Sequence, residues 1–123
     1  PWDYKAMIEM MTLYLTSFYV AEADGRIIGF SAGAIEDTDE EKYGHVCNIA
    51  VTPEMRGFGI GRLLLRRVER DFFLEGCRAC SLEVRKSNTN AHGFYERLDY
   101  EDVLVFGGYY SDGEDAVVMM RWF

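Results

Sequence analysis

The stretch that most constrains this chain is "HVCNIAVTPEMRGFGIGRLLLRRVERDFFLEG", residues 45 to 76. A strand-like run (45 to 51) leads through Thr52-Pro53 into three alternate glycines, and then Ile60, Leu63, Leu64, Val68 and Phe72 recur at helical spacing until Gly76 stops them. A strand, a glycine loop and an amphipathic helix in that order predict an α/β layer in which the helix begins where the strand ends. The first-turn amides at Ile60 then have no partner within the helix and point out along its axis. Gly57, Gly59 and Gly61 permit positive φ and close approach of an anion to the backbone, and Arg56 and Arg62 add charge-assisted hydrogen bonds. The spelling is neither G-x-G-x-x-G nor G-x-x-x-x-G-K-[ST]. With no lysine and no magnesium ligand in the loop, a diphosphate held as a handle fits better than one being cleaved.

Charge sharpens this reading. The chain carries a net charge of −8, which disfavours nucleic acid and anionic membrane as partners and favours a cationic substrate such as an amine. Against that background, residues 56 to 70 hold five arginines and one glutamate, while "EDTDEEK" (36 to 42) holds five acids and one lysine. A solvated helix face would carry the same arginines, but the glycines beside them favour a small polyanion. With 123 residues and an apolar content of 49%, one domain spanning 1–123 with one core is expected. No apolar run approaches the roughly 20 residues of a membrane span, no signal peptide opens the chain, and three cysteines suit a reducing compartment. A cytoplasmic, soluble domain is therefore expected.

Elsewhere, "DYKAMIEMMTLYL" (3 to 15) reads as a helix with Asp3 as its N-cap, and "SFYVAEADGRIIGFSAGAI" as a hairpin turning at Asp24-Gly25. "CSLEVR" (80 to 85) alternates, with Leu82 and Val84 on one face and Glu83 and Arg85 on the other. "NTNAHGFYERL" (88 to 98) predicts a short helix, weakened at Gly93 by roughly 1 kcal/mol relative to alanine. "YEDVLVFGGYY" and "DAVVMMRWF" predict two final strands around "SDGED". The pattern is one mixed α/β sheet packed by helices.

With these elements placed, "VTPEMRGFGIGRLLL" resembles the [QR]-x-x-G-x-[GA] motif of the GNAT acetyltransferases, carried by Arg56, Gly59 and Gly61. The resemblance extends over essentially the whole chain. "LEVRKSN", "FYERLDY" and "GYYSDGEDAVVM" are similar to stretches of N-terminal protein acetyltransferases of the NatA type, particularly archaeal ones, and of ribosomal-protein-alanine acetyltransferases. It implies the acyl-CoA N-acyltransferase fold. Acetyl-CoA is the implied cosubstrate, with no metal. The loop of Arg56, Gly57, Phe58, Gly59, Ile60, Gly61 and Arg62 would hold its pyrophosphate, the backbone of Ile49, Ala50 and Val51 would pair with pantetheine, and an amide near Val51 would stabilise the oxyanion.

The implied reaction moves an acetyl group directly to the α-amino group of a protein N-terminus, an amine with a pKa of roughly 8 that must lose its proton. Glu83 matches the family's base, the alternative being a solvent-facing strand glutamate. Tyr95 matches the tyrosine that protonates the leaving thiolate, the alternative being a packing tyrosine. Asn88 matches a pantetheine contact and also suits a helix N-cap. Tyr109 and Tyr110 match a pair beside the peptide N-terminus or else belong to the core; Arg85 either orients the peptide or pairs with Glu83. His45 resembles the histidine of a G-H-[IV] stretch and is expected to be structural, and His92 is a departure with no assigned role. Cys77-x-x-Cys80 lacks the ligands of a zinc site.

Two other functions remain compatible with the loop. One is a GNAT enzyme for a small-molecule amine or a lysine side chain. The other is a non-catalytic acetyl-CoA-binding module, against which the presence of both Glu83 and Tyr95 argues. The family's first strand and most of its first helix would fall ahead of residue 1; were they absent from the molecule, an exposed sheet edge and weak peptide binding would follow. The NatA resemblance also leaves room for an auxiliary ribosome-anchoring subunit, with no direct nucleic-acid contact.

Overall fold

A computed structural model describes residues 16–123, so the helix expected at 3 to 15 lies outside the described residues. The described residues form six strands and two α-helices, with a 3-10 turn at Pro53–Met55, in the order β1 (Ser17–Ala23), β2 (Arg26–Asp37), β3 (Lys42–Val51), α1 (Ile60–Leu74), β4 (Ala79–Arg85), α2 (Thr89–Arg97), β5 (Glu101–Phe106) and β6 (Ala116–Trp122). The strands form one sheet in the order β1-β2-β3-β4-β6-β5. Every neighbouring pair is antiparallel except β3 with β4, the pair whose connection carries α1. Parallel neighbours require such a crossover. Asp24 and Gly25 both take positive φ (51° and 75°), the two-residue turn that the hairpin between β1 and β2 needs.

Helix α1 lies on the sheet through Leu64, Leu65, Val68 and Phe72, with Leu65, Val68 and Phe72 wholly buried. Full burial of one such side chain contributes about 1.5–3 kcal/mol. Phe72 sits where Gly33 of β2 and Gly44 of β3 leave the sheet bare: a Cβ at Gly33 would come within 2.6 Å of the Phe72 ring, and one at Gly44 would overlap it. Polar contacts add register. Ser17 Oγ and Tyr19 OH each donate to Asp71 Oδ2 at 2.7 Å, which ties β1 to α1. Glu69 is buried but fully partnered, accepting from Tyr100 OH (2.7 Å), Arg66 Nη1 (2.8 Å) and Arg121 Nη1 (3.2 Å). An unpartnered carboxylate there would be strongly destabilising.

Two local expectations are corrected. The strand expected to run through Tyr110 stops at Phe106: Gly107 and Gly108 follow, and Gly108 takes a φ of 63°. Residues 107 to 115 fold into turns, with Tyr110 N donating to Glu114 O and Gly113 N to Tyr110 O. Tyr109 and Tyr110 thus sit on a loop, not at a strand end. Gly61, moreover, has no positive φ. It lies in the first turn of α1, and a Cβ there would meet Phe94 Cζ of α2 at 3.3 Å, so it permits helix packing and not a turn.

Candidate active site

The sheet opens at its centre. β3 and β4 pair only at Tyr43–Ala79, Gly44–Cys80 and His45–Ser81; beyond His45 the two strands run on without a shared ladder. β3 is also bulged at the same level. Ala32 of β2 faces Asn48 while Gly33 faces Val46, so Cys47 is an extra residue in the strand. Bulges of this kind re-aim side chains next to functional sites. The parted strands leave the β3 edge at Ile49, Ala50 and Val51 facing a cleft. Two cavities fill it, one of about 230 Å³ between β3 and β4, the other of about 580 Å³ between β3, the glycine loop and α2. Ile49, Asn88, Ala91 and Tyr95 line both, so the two adjoin.

The lining of the larger cavity is chemically suited to an anion. Gly59 is the N-cap of α1 with φ 81°, Gly57 has φ 86°, and a Cβ at either would meet nothing within 4 Å. Glycine is required there for backbone conformation, and the space above it stays open. Leu63 N is the amide that bonds to the Gly59 carbonyl, which leaves the amides of Ile60, Gly61 and Arg62 directed out of the helix end. Arg56 Nε donates to the Val51 carbonyl (3.1 Å), so its guanidinium is anchored over the end of β3. Arg62 lines the cavity, as does Arg97 from α2, a residue that sequence reasoning passed over. Phe58 is 72% exposed, so the loop offers its backbone and not its ring. Asn88 uses Oδ1 to cap α2 through Ala91 N (3.1 Å), which leaves its side-chain NH2 beside the cleft.

At the narrow end, His45 Nε2 lies 2.9 and 3.0 Å from the two oxygens of Glu83, and Tyr109 OH donates to Glu83 Oε1 at 3.2 Å. Cys47 Sγ lies 3.7 Å from His45 Nδ1. Cys47 and Glu83 together favour the protonated ring and push the His45 pKa up to about 10, against the opposing effect of burial. A carboxylate has about four acceptor sites, so His45 and Tyr109 leave Glu83 able to accept from an incoming amine. Tyr95 lines both cavities, and burial pushes its phenol up to about 12, with Tyr110 adding to the shift. It is a hydrogen-bond donor at any physiological pH.

Arg85 does not pair with Glu83. Its Nη1 donates to Asp112 Oδ2 (2.8 Å) and Glu114 Oε1 (3.0 Å), both on the 107 to 115 loop. The structure thus brings Glu83, Tyr95, Tyr109, Tyr110 and Asn88 to one cleft and turns Arg85 to the loop above it. His45, expected to be structural, is in direct contact with the candidate base. The pairing follows from the strand register, in which His45 faces Ser81 and Glu83 lies two residues farther along the same face, a register that the sequence around His45 does not carry. Cys77 and Cys80 are buried and away from the cleft, and Cys80 Sγ contacts Tyr100 OH at 3.1 Å. Among the described residues no helix is long and apolar enough to cross a membrane, and no three His, Cys, Asp or Glu residues are grouped to hold a metal.

Residues 2–100 match the model of the Acetyltransferase (GNAT) family. The chain is 38% identical over 122 residues to an uncharacterized N-acetyltransferase of Methanocaldococcus jannaschii, covering 98% of this chain and 76% of the relative. It is 35% identical over 132 residues to an N-alpha-acetyltransferase of Saccharolobus solfataricus, covering 98% and 77%. Among solved structures, Chaetomium thermophilum Naa20 in complex with a bisubstrate analogue superposes with a TM-score of 0.91 at 28% identity, over 100% of this chain and 74% of that one.

Proposed function

The chain belongs to the acetyltransferase (GNAT) family, and on that premise we propose that it moves the acetyl group of acetyl-CoA to the α-amino group of protein N-termini, as one catalytic domain. The observation that carries the reading is the parting of β3 and β4 beyond His45, with Glu83 facing into the cleft and Tyr95 lining it. Acetyl-CoA supplies an activated acetyl thioester. The residues present fit it: three helix amides that have no partner among the described residues, with Arg56, Arg62 and Arg97, suit a diphosphate, while the β3 edge at Ile49–Val51 and the Asn88 NH2 suit an amide-bearing arm.

Each remaining role belongs to a named atom. Glu83 holds the incoming ammonium group by charge and accepts its proton, while His45 Nε2–H keeps the carboxylate oriented. Tyr109 OH holds Glu83 from the loop side and narrows the entrance. Tyr95 OH, kept protonated by burial, donates a hydrogen bond to the departing sulfur. Peptide N-termini, in preference to small amines, are supported by the identity to an N-alpha-acetyltransferase and by a cleft floored by open strand edge and roofed by the Tyr109–Tyr110 loop.

One lysine-containing peptide in two forms tests this. Acetylation of the form with a free α-amine beginning in Ser or Ala, and not of the form with that amine blocked, is the expected result. Acetylation of the blocked peptide would move the target to lysine side chains. Silence with both, in a chain that binds acetyl-CoA, would remove peptides as substrates.

A further inference from the structure

We propose that Cys47 is an acetyl-accepting nucleophile: when no amine occupies the cleft, the chain transfers the acetyl group of acetyl-CoA to its own Cys47 sulfur. The inference rests on the acetyl-CoA site proposed above but not on the nature of the amine.

The geometry is that of a thiol, an imidazole and a carboxylate in series. Cys47 Sγ lies 3.7 Å from His45 Nδ1, and His45 Nε2 lies 2.9 Å from Glu83 Oε1. A nucleophile, a base and a group that orients the base are the parts that activate cysteine in acyl transfer, whatever the fold that carries them. When the ring is neutral, Glu83 keeps the proton on Nε2 and Nδ1 is the nitrogen that can accept from the thiol. Cys47 is also the extra residue of the β3 bulge and lines the smaller cavity, which adjoins the diphosphate cavity at Ile49 and Tyr95. A thioester running from the glycine loop along β3 into the parting of the strands arrives beside it. The raised pKa of His45, caused first by the Cys47 contact and then by Glu83, makes the ring a strong base beside the thiol.

The other two cysteines lack these features. Cys80 is buried, contacts a phenol, and has its thiol pushed up to about 12 by that burial. Cys77 is buried and likewise raised. Neither lines the cleft.

The step balances without a further reagent. The Cys47 proton passes to His45 Nδ1, a bond forms between Cys47 Sγ and the acetyl carbonyl carbon, and the bond from that carbon to the CoA sulfur breaks. The departing CoA thiolate takes up the proton carried by His45. One thioester replaces another, leaving S-acetyl-Cys47 and free CoA.

The test needs no amine. Purified chain is incubated with acetyl-CoA alone, and intact mass and peptide mapping are followed over time, with acetyl-CoA affinity measured in parallel by calorimetry. One acetyl group per chain is expected, mapped to Cys47 and released by neutral hydroxylamine. It should be missing in Cys47→Ala, and in His45→Gln it should form at least about tenfold more slowly. A chain that binds acetyl-CoA yet carries no acetyl group on Cys47 would overturn the proposal, as would equal labelling of Cys77 and Cys80. No acetyl-CoA binding would overturn this inference and the cosubstrate site together. Labelled Cys47 in a chain inactive on peptides would overturn only the peptide substrate.

Discussion

The guanidinium carbon of Arg85 lies 4.1 Å from the centre of the Tyr110 ring, while the same side chain bonds Asp112 and Glu114. Tyr110 packs edge-on against Tyr109 (centroids 5.0 Å apart), and Tyr109 OH reaches Glu83. Glu114 also accepts from Ser87 N at 2.8 Å, so the loop is fastened both to Arg85 at the end of β4 and to the turn that follows it. Arg85 therefore acts as a clamp. It stands two residues from the candidate base and fixes the loop that closes over it.

Replacing that clamp should separate binding from chemistry. Lysine keeps the charge but cannot stack on Tyr110 while bonding two carboxylates. In Arg85→Lys the KM for peptide should rise several-fold, with acetyl-CoA affinity unchanged by calorimetry. An unchanged KM would show that the loop holds its place without Arg85.

Glu83→Gln keeps the size of the side chain and removes its capacity to accept a proton. Acetyl-CoA affinity should stay normal, since Glu83 does not line the diphosphate cavity, while turnover drops at least about tenfold. Rapid-quench measurement of the chemical step checks this, and unchanged turnover would remove Glu83 from the mechanism.

What was legible in the sequence follows the range of the interaction. The anion loop reads locally: Gly57 and Gly59, the arginines and the 3.6-residue period of α1 all lie within one short stretch. Glu83 reads from strict alternation in "SLEVR". The His45–Glu83 contact joins two strands whose parallel register is set by how α1 packs on the sheet, so neither flank of His45 betrays it. Tyr109 and Tyr110 misled for the opposite reason, because an aromatic pair after "VLVF" looks like more strand until Gly107-Gly108 is given its turn. Gly61 was read by its neighbours' rule although its constraint, Phe94, comes from another helix.

His45 gives the fold a signature in pH. Its folded pKa is raised from 6.5 to about 10, with Cys47, Glu83 and Tyr109 as its polar surroundings. The proton is therefore bound more tightly in the folded chain. The stability this adds is complete below about pH 6.5 and is lost as pH rises towards 10. Urea unfolding midpoints of the wild type should fall between pH 7 and 10 by more than those of His45→Gln. Parallel curves would mean that the ring is not held as an imidazolium.

Gly44→Ala tests the packing on which the cleft depends. Gly44 pairs with Ile35 of β2 on one side and Cys80 of β4 on the other, so β3 cannot shift away at this point. A methyl group would overlap the Phe72 ring, which is wholly buried between α1 and the sheet. Overpacking of this kind destabilises by about 1–3 kcal/mol, and the upper end is expected because neither partner is free to move. Phe72→Leu alone should also destabilise, by leaving part of the ring's volume empty. The two changes occupy the same space, so the double variant should be more stable than the sum of the single losses predicts, by at least about 0.5 kcal/mol. Urea unfolding of all four proteins closes the cycle. Strict additivity would mean that Phe72 does not set the distance between α1 and β3, and with it the origin of the cleft.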